Sequence, residues 1–205
     1  SRRMPTVTSR DGTKIAFDKG GAGPALIFVD GALVYRAFNE GMAAARDLLA
    51  PHFTVYLYDR RGRGESGDTP PYAVEREIED IEALIDVAGG SAFLYGTSSG
   101  AALAMEAAIQ LAGKVPALAM YEAPYDDDPA SVQAWRAYRA KLRQAVAAGQ
   151  PGDAVAHFMM LLKMPAEQVE GMRQAPFWPL MEAVGHTLEY DAAILGEESS
   201  VPTAK

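Results

Sequence analysis

The chain contains no cysteine. Disulfide frameworks, thiol nucleophiles, iron–sulfur clusters and cysteine-ligated zinc are excluded with it. Basic residues are in the minority: Lys plus Arg number 19 against 27 for Asp plus Glu, for a formal net charge of −8. That balance offers no positive footprint, so neither nucleic acid nor an anionic membrane is expected as a partner. No apolar run reaches the ~18–20 residues of a membrane span; the alanine-rich stretch after Gly100 is interrupted by Glu106. No apolar run follows the N-terminus as in a secretory signal, and the expected location is the cytoplasm. Histidine is scarce, three residues in all. No cluster with metal-ligand spacing stands out, so no metal and no cofactor are expected.

What is present is a folding chain. Hydrophobic residues make up 49 % of the 205 and charged residues 22 %, the balance of a domain with a real core. Thr6–Ser9 and Lys14–Asp18 flank the turn Arg10-Asp11-Gly12 and read as a hairpin, with Gly20–Pro24 as a loop. Ala25–Val29 is apolar without alternation, as a strand buried on both faces is. Phe38–Leu49 reads as a helix stopped by Pro51, and Phe53–Tyr58 as a strand that sets Phe53, Val55 and Leu57 against Thr54, Tyr56 and Tyr58. Val74, Ile78, Ile81, Leu84 and Ile85 mark the inner face of a helix, with Glu75, Glu77, Glu79 and Glu82 mostly outside. Ser91–Tyr95 and Ala117–Tyr121 read as strands on either side of the helix Ser99–Ala112. This alternation predicts an α/β fold with a mainly parallel sheet. After Pro124 only helices are expected, over Asp128–Ala148, Asp153–Lys163, Ala166–Arg173 and Trp178–Leu195. They read as an insertion over the C-terminal edge of the sheet, where α/β ligand sites lie.

Gly96-Thr97-Ser98-Ser99-Gly100 fits G-x-S-x-G, a weak pattern alone. Its setting between a strand and an alanine-rich helix is what a nucleophile elbow needs. Glycines at 96 and 100 remove Cβ atoms where a strained turn crowds its neighbours. Ser98 then projects its hydroxyl above the sheet, and the Ser99 N–H sits at a helix N-terminus that favours an anion. The competing reading is a plain strand-to-helix loop with serine as N-cap. A second oxyanion donor is available at Asp30-Gly31-Ala32, which ends Ala25–Val29 at the same end of the sheet. Gly31 admits a close approach there, and the Ala32 N–H can face the pocket. Gly62-Arg63-Gly64-Glu65-Ser66-Gly67 imitates a dinucleotide fingerprint, but Asp68-Thr69-Pro70-Pro71 follows it instead of a helix.

Asp30-Gly31-Ala32, Tyr58-Asp59-Arg60-Arg61-Gly62-Arg63-Gly64-Glu65-Ser66 and Gly96-Thr97-Ser98-Ser99-Gly100 occur in this order at fitting spacing. In them the chain resembles the α/β-hydrolase superfamily, in its small bacterial esterase-like and haloperoxidase-like branch. The resemblance implies a mostly parallel core with an N-terminal antiparallel hairpin over residues 4–124 and a helical cap over 125–196. Residues 197–205, with Val201-Pro202-Thr203, read as the approach to a further C-terminal core segment. It also implies Ser98 as nucleophile, with the Ala32 and Ser99 amides as oxyanion hole. Many members carry His where Asp30 stands, and often His or another residue where Thr97 stands; neither position supplies a backbone donor.

A serine nucleophile needs a base and an orienting acid. The resemblance puts the acid after a seventh strand and the histidine after an eighth, and neither strand is in this sequence. The expectation is that roughly 50–70 further residues complete the fold, and that the 205 residues by themselves are a poor catalyst. His52 falls at the wrong end of the sheet, and His157 reads as a packing residue. His186 lies in the last cap helix, where it is the internal candidate to line the pocket. Asp126-Asp127-Asp128 read as a solvated turn capping a helix, although a few members of the fold place the acid there.

The cap supplies Phe158, Trp178 and several methionines. With Thr97 and His186, Phe158 and Trp178 are the expected lining of a pocket for a small apolar ester. The functional expectation is a serine hydrolase that acts through an acyl-enzyme on Ser98. The alternative is a non-catalytic or incomplete member of the fold that binds an apolar ligand or partner. A complementing C-terminal segment or a second copy of the chain is the expected macromolecular partner.

Overall fold

A computed structural model describes residues 5–199 and residue 202. The chain divides into two compact units, Ser1–Ala123 and Pro124–Lys205.

The first unit is built on a six-stranded sheet. Strand β1 (Thr6–Thr8) pairs antiparallel with β2 (Lys14–Gly21), and the turn between them closes through Ser9 N–H to the Thr13 carbonyl at 2.8 Å. Strand β2 runs further than its sequence suggests. Gly20 and Gly21, expected in a loop, lie opposite Val55 and Thr54 of β4 (Thr54–Tyr58), because glycine still offers the sheet both backbone groups. Strands β3 (Ala25–Val29), β5 (Phe93–Thr97) and β6 (Leu118–Tyr121) complete the order β1-β2-β4-β3-β5-β6. From β4 through β6 every neighbouring pair is parallel. Residues 30, 59, 98 and 122, which follow these four strands, therefore share one edge of the sheet.

Both faces of β3 and β4 are covered. Leu26, Phe28, Val55 and Leu57 pack with Met42 of α1 (Glu40–Leu49). Side chains alternate along a strand, so Ile27, Val29, Tyr56 and Tyr58, all buried, face the other side. The remaining helices of the unit are α2 (Val74–Val87) and α3 (Ser99–Gln110), which pack on each other. The strand read over Phe53–Tyr58 is β4, and both of its alternating sets are core, tyrosines included. The expectation of Glu77 on the outer face of α2 fails, since Glu77 and Asp80 are both buried. The alanines of α3 at 101, 102, 104 and 107 are fully buried, and such small side chains let a helix lie close to its neighbours.

The second unit is helical. Asp128 caps α4 (Pro129–Ala147) by accepting from Ser131 N–H at 3.3 Å, and Asp126 accepts from Asp128 N–H at 2.9 Å. Helices α5 (Pro151–Leu161) and α6 (Ala166–Arg173) follow. The single helix read over Trp178–Leu195 is two, α7 (Trp178–Glu182) and α8 (Leu188–Leu195), with a 3₁₀ turn at Gly185–Thr187 between them. The break has a packing cause. A Cβ on Gly185 would lie 2.4 Å from the Pro151 carbonyl oxygen, so the start of α5 crosses here. Thr187 Oγ1 closes the turn on the Val184 carbonyl at 2.6 Å. Among the described residues no helix is long and apolar enough to cross a membrane. Of the expected strand approach Val201-Pro202-Thr203, only Pro202 lies within the described residues.

Candidate active site

One residue separates β5 from α3. Ser98 takes φ 55° and ψ −128°, a sparsely populated conformation for a residue with a Cβ that costs about 1–3 kcal/mol. Its backbone is held on both sides. The Ser98 N–H donates to the Tyr121 carbonyl at the end of β6 at 3.0 Å, and its own carbonyl accepts from Ala101 N–H at 2.9 Å. The Ser98 hydroxyl makes no capping bond to α3, against the reading of this serine as a plain N-cap.

The glycines allow the crowding. A Cβ on Gly100 would lie 2.1 Å from the Val29 carbonyl oxygen, and one on Gly96 would lie 2.5 Å from that of Gly100. A Cβ on Gly31 would lie 3.1 Å from Ser98 Cβ, 3.2 Å from the Thr97 carbonyl oxygen and 3.6 Å from Ser98 Oγ. The segment after β3 thus passes directly over the serine. Ala32 follows, half-buried, and Leu33 takes φ 65°, a sharp turn for so large a residue. The Ser99 N–H belongs to the first turn of α3, whose leading donors point out of the helix.

Asp30, just before Gly31, is buried, and its Oδ2 meets no hydrogen-bond partner among the described residues. Burial pushes its carboxyl up to about 6, and Asp59 adds to the rise; Arg60 and Arg63 oppose it. The loop after β4 carries paired charges. Asp59 accepts from Arg36 N–H at 2.8 Å, Arg36 Nε and Nη2 at 3.1 Å, and Glu65 N–H at 2.9 Å. Arg61 pairs with Asp80 at 2.7 Å and Asp11 at 2.9 Å. Arg60 pairs with Glu77 at 2.6 Å. Sequence reading assigned no role to these arginines or to Glu77 and Asp80. The available signal was spacing: 77, 80, 81 and 84 share one helical face, and that face carries Ile81 and Leu84.

Among the expected site residues, Ser98, Ser99, Thr97 and the Gly31–Ala32 segment lie together in the first unit. Thr97 ends β5 opposite Tyr121. The other three belong to the second unit. Phe158 on α5 packs against the Tyr138 ring at 6.2 Å. Trp178 opens α7, buried, with the Arg173 guanidinium 5.6 Å from its ring centre. His186 sits on the 3₁₀ turn, not on a helix as expected, edge-on to Tyr190 at 5.8 Å. His52 is the one histidine among the described residues of the first unit. It precedes β4, whereas Ser98 follows parallel β5, so the two lie at opposite edges of the sheet. Among the described residues no group of three or more histidine and acidic side chains converges as metal ligands do.

The sequence model of the alpha/beta hydrolase family matches residues 20–197. Among solved structures, the chain is similar to an alpha/beta hydrolase from Sphaerobacter thermophilus DSM 20745. They share 51 % identity and a TM-score of 0.82 over 98 % of this chain and 76 % of that one. It is also similar to the bottromycin epimerase BotH in complex with bottromycin A2, at 26 % identity and a TM-score of 0.60 over 93 % of this chain and 74 % of that one. A thermophilic esterase from Thermogutta terrifontis shares the fold, at 24 % identity and a TM-score of 0.63 over 97 % of this chain and 74 % of that one.

Proposed function

The chain belongs to the alpha/beta hydrolase family, and on that premise we propose that it is a serine hydrolase of small apolar esters, with Ser98 as nucleophile. The single observation that carries the reading is the Ser98 backbone. It stands at φ 55° between a strand and a helix, with its hydroxyl unused as a cap and Gly31 packed over it. Ser98 Oγ attacks the ester carbonyl and gives up its proton to a base. The carbonyl oxygen becomes an oxyanion that accepts from the Ala32 and Ser99 N–H groups. The intermediate collapses, the alcohol leaves with a proton, and the acyl group stays on Ser98. Water then repeats the sequence and frees the acid. The chemistry needs no cofactor.

His52 is set aside as the base by its position across the sheet. Ser98→Ala is expected to lower kcat for an aryl ester by at least ~10³-fold. Wild-type turnover in that variant would contradict the assignment.

A second reading is binding without turnover. The placement of His52 favours it, because the unit that carries Ser98 holds no other histidine among its described residues. Under that reading the protein hydrolyses esters poorly while still binding an apolar acyl compound. The bottromycin epimerase is a reminder that one scaffold carries more than one chemistry.

A further inference from the structure

We propose that Arg60 is a positioning residue for the oxyanion-hole segment, its guanidinium fixed by Glu77 and bonded to the carbonyl of Asp30 at the head of Gly31–Ala32. The proposal rests on the reading of Ser98 as a nucleophile.

The Arg60 and Glu77 side chains are 1 % and 2 % exposed. Arg60 Nε donates to Glu77 Oε1 at 2.8 Å and Nη2 to Oε2 at 2.6 Å. Two parallel bonds to one carboxylate fix the plane of a guanidinium, which a single contact does not. Tyr72 Oη donates to Glu77 Oε2 at 2.6 Å and anchors the carboxylate in turn. The remaining nitrogen of the fork, Nη1, is thereby aimed, and it donates to the Asp30 carbonyl oxygen at 3.1 Å.

That carbonyl sits at a crowded point. A Cβ on Gly100 would come within 2.5 Å of it, so it lies between Arg60 and the first turn of α3. The next residue, Gly31, is the one packed over Ser98. Whatever moves the Asp30 peptide moves the donor segment relative to the nucleophile.

Stability alone does not call for such a pair. Two charges taken from water recover their desolvation cost only with good geometry, and well-packed apolar residues of similar volume serve a core as well or better. The fork offers a rigid donor direction that apolar residues lack. Transition-state stabilisation depends on donors held in place before the reaction, and a shift of about 1 Å can cost about 10²-fold.

The test replaces both charges at similar volume, Arg60→Met with Glu77→Met, so that neither is left buried and unpaired. Arg60→Lys is the second variant, retaining a charge and one donor head. Active sites are titrated with a fluorophosphonate, and kcat and KM for a p-nitrophenyl ester are measured per titrated site. A merely structural role changes the number of titrated sites and leaves kcat per site alone. The expected result is a kcat about 10–100-fold lower in the double variant with KM nearly unchanged, and an intermediate kcat in Arg60→Lys. A folded double variant with wild-type kcat per site overturns the proposal. If the double variant does not fold, wild-type kcat in Arg60→Lys overturns it. A wild-type chain that is not labelled at Ser98 overturns the serine-hydrolase reading and the proposal with it.

Discussion

Gly31 lies so close over Ser98 that a methyl group on it would stand 3.1 Å from the serine Cβ and 3.6 Å from its hydroxyl oxygen. The segment following β3 and the turn following β5 form one constellation, and glycine is what lets them meet. Gly31→Ala is therefore expected to displace the donor segment from the nucleophile. A fall in kcat/KM of about 10-fold or more, with a melting temperature close to wild type, is the expected outcome of kinetics and thermal unfolding. Wild-type kinetics would show that the approach is incidental.

Gly100 is expected to behave differently. Its missing Cβ faces backbone, 2.1 Å from the Val29 carbonyl oxygen and 2.5 Å from that of Asp30, so no side chain can swing away. Gly100→Ala should cost about 3 kcal/mol or more of stability, roughly a 10 °C fall in melting temperature for a chain of this size. A loss of activity without that fall would contradict the packing described.

Asp30 makes stability depend on pH. Its carboxyl is pushed up to about 6 by burial, above the ordinary value of 3.8. Between those values the folded chain holds a proton that the unfolded chain releases. The contribution of Asp30 therefore falls as pH rises through this window and levels off above about 6. A rise of about two units corresponds to about 3 kcal/mol. Asp30→Asn removes the titration, so urea unfolding should find the variant gaining on wild type by about 2–3 kcal/mol between about pH 4 and about pH 7. A constant difference across that range would contradict the assignment.

The core was largely legible because its signals are local. The apolar run Ala25–Val29 is β3 residue for residue, and strand, G-x-S-x-G and helix follow one another without a gap. The failures have non-local causes. Trp178, Met181, Val184 and Leu188 keep a helical spacing, and the break at Gly185 comes from the start of α5 pressing on that glycine. Glu77 and Asp80 share the helical face of Ile81 and Leu84, but their partners there, Arg60 and Arg61, stand 17 and 19 positions earlier. Local composition carries no trace of a partner that the sheet delivers. For the same reason no spacing rule links Phe158, Trp178 or His186 to Ser98: their neighbours are set by how helices pack, not by the elbow.

An activated nucleophile at position 98 is a chemical property that can be read directly. The measurement is incubation of the protein with a fluorophosphonate probe, followed by mapping of the adduct by peptide mass spectrometry. One stoichiometric adduct is expected, on Ser98, absent from Ser98→Ala and slowed in Gly31→Ala. A chain that stays unlabelled, or that carries the adduct on another serine, would contradict it.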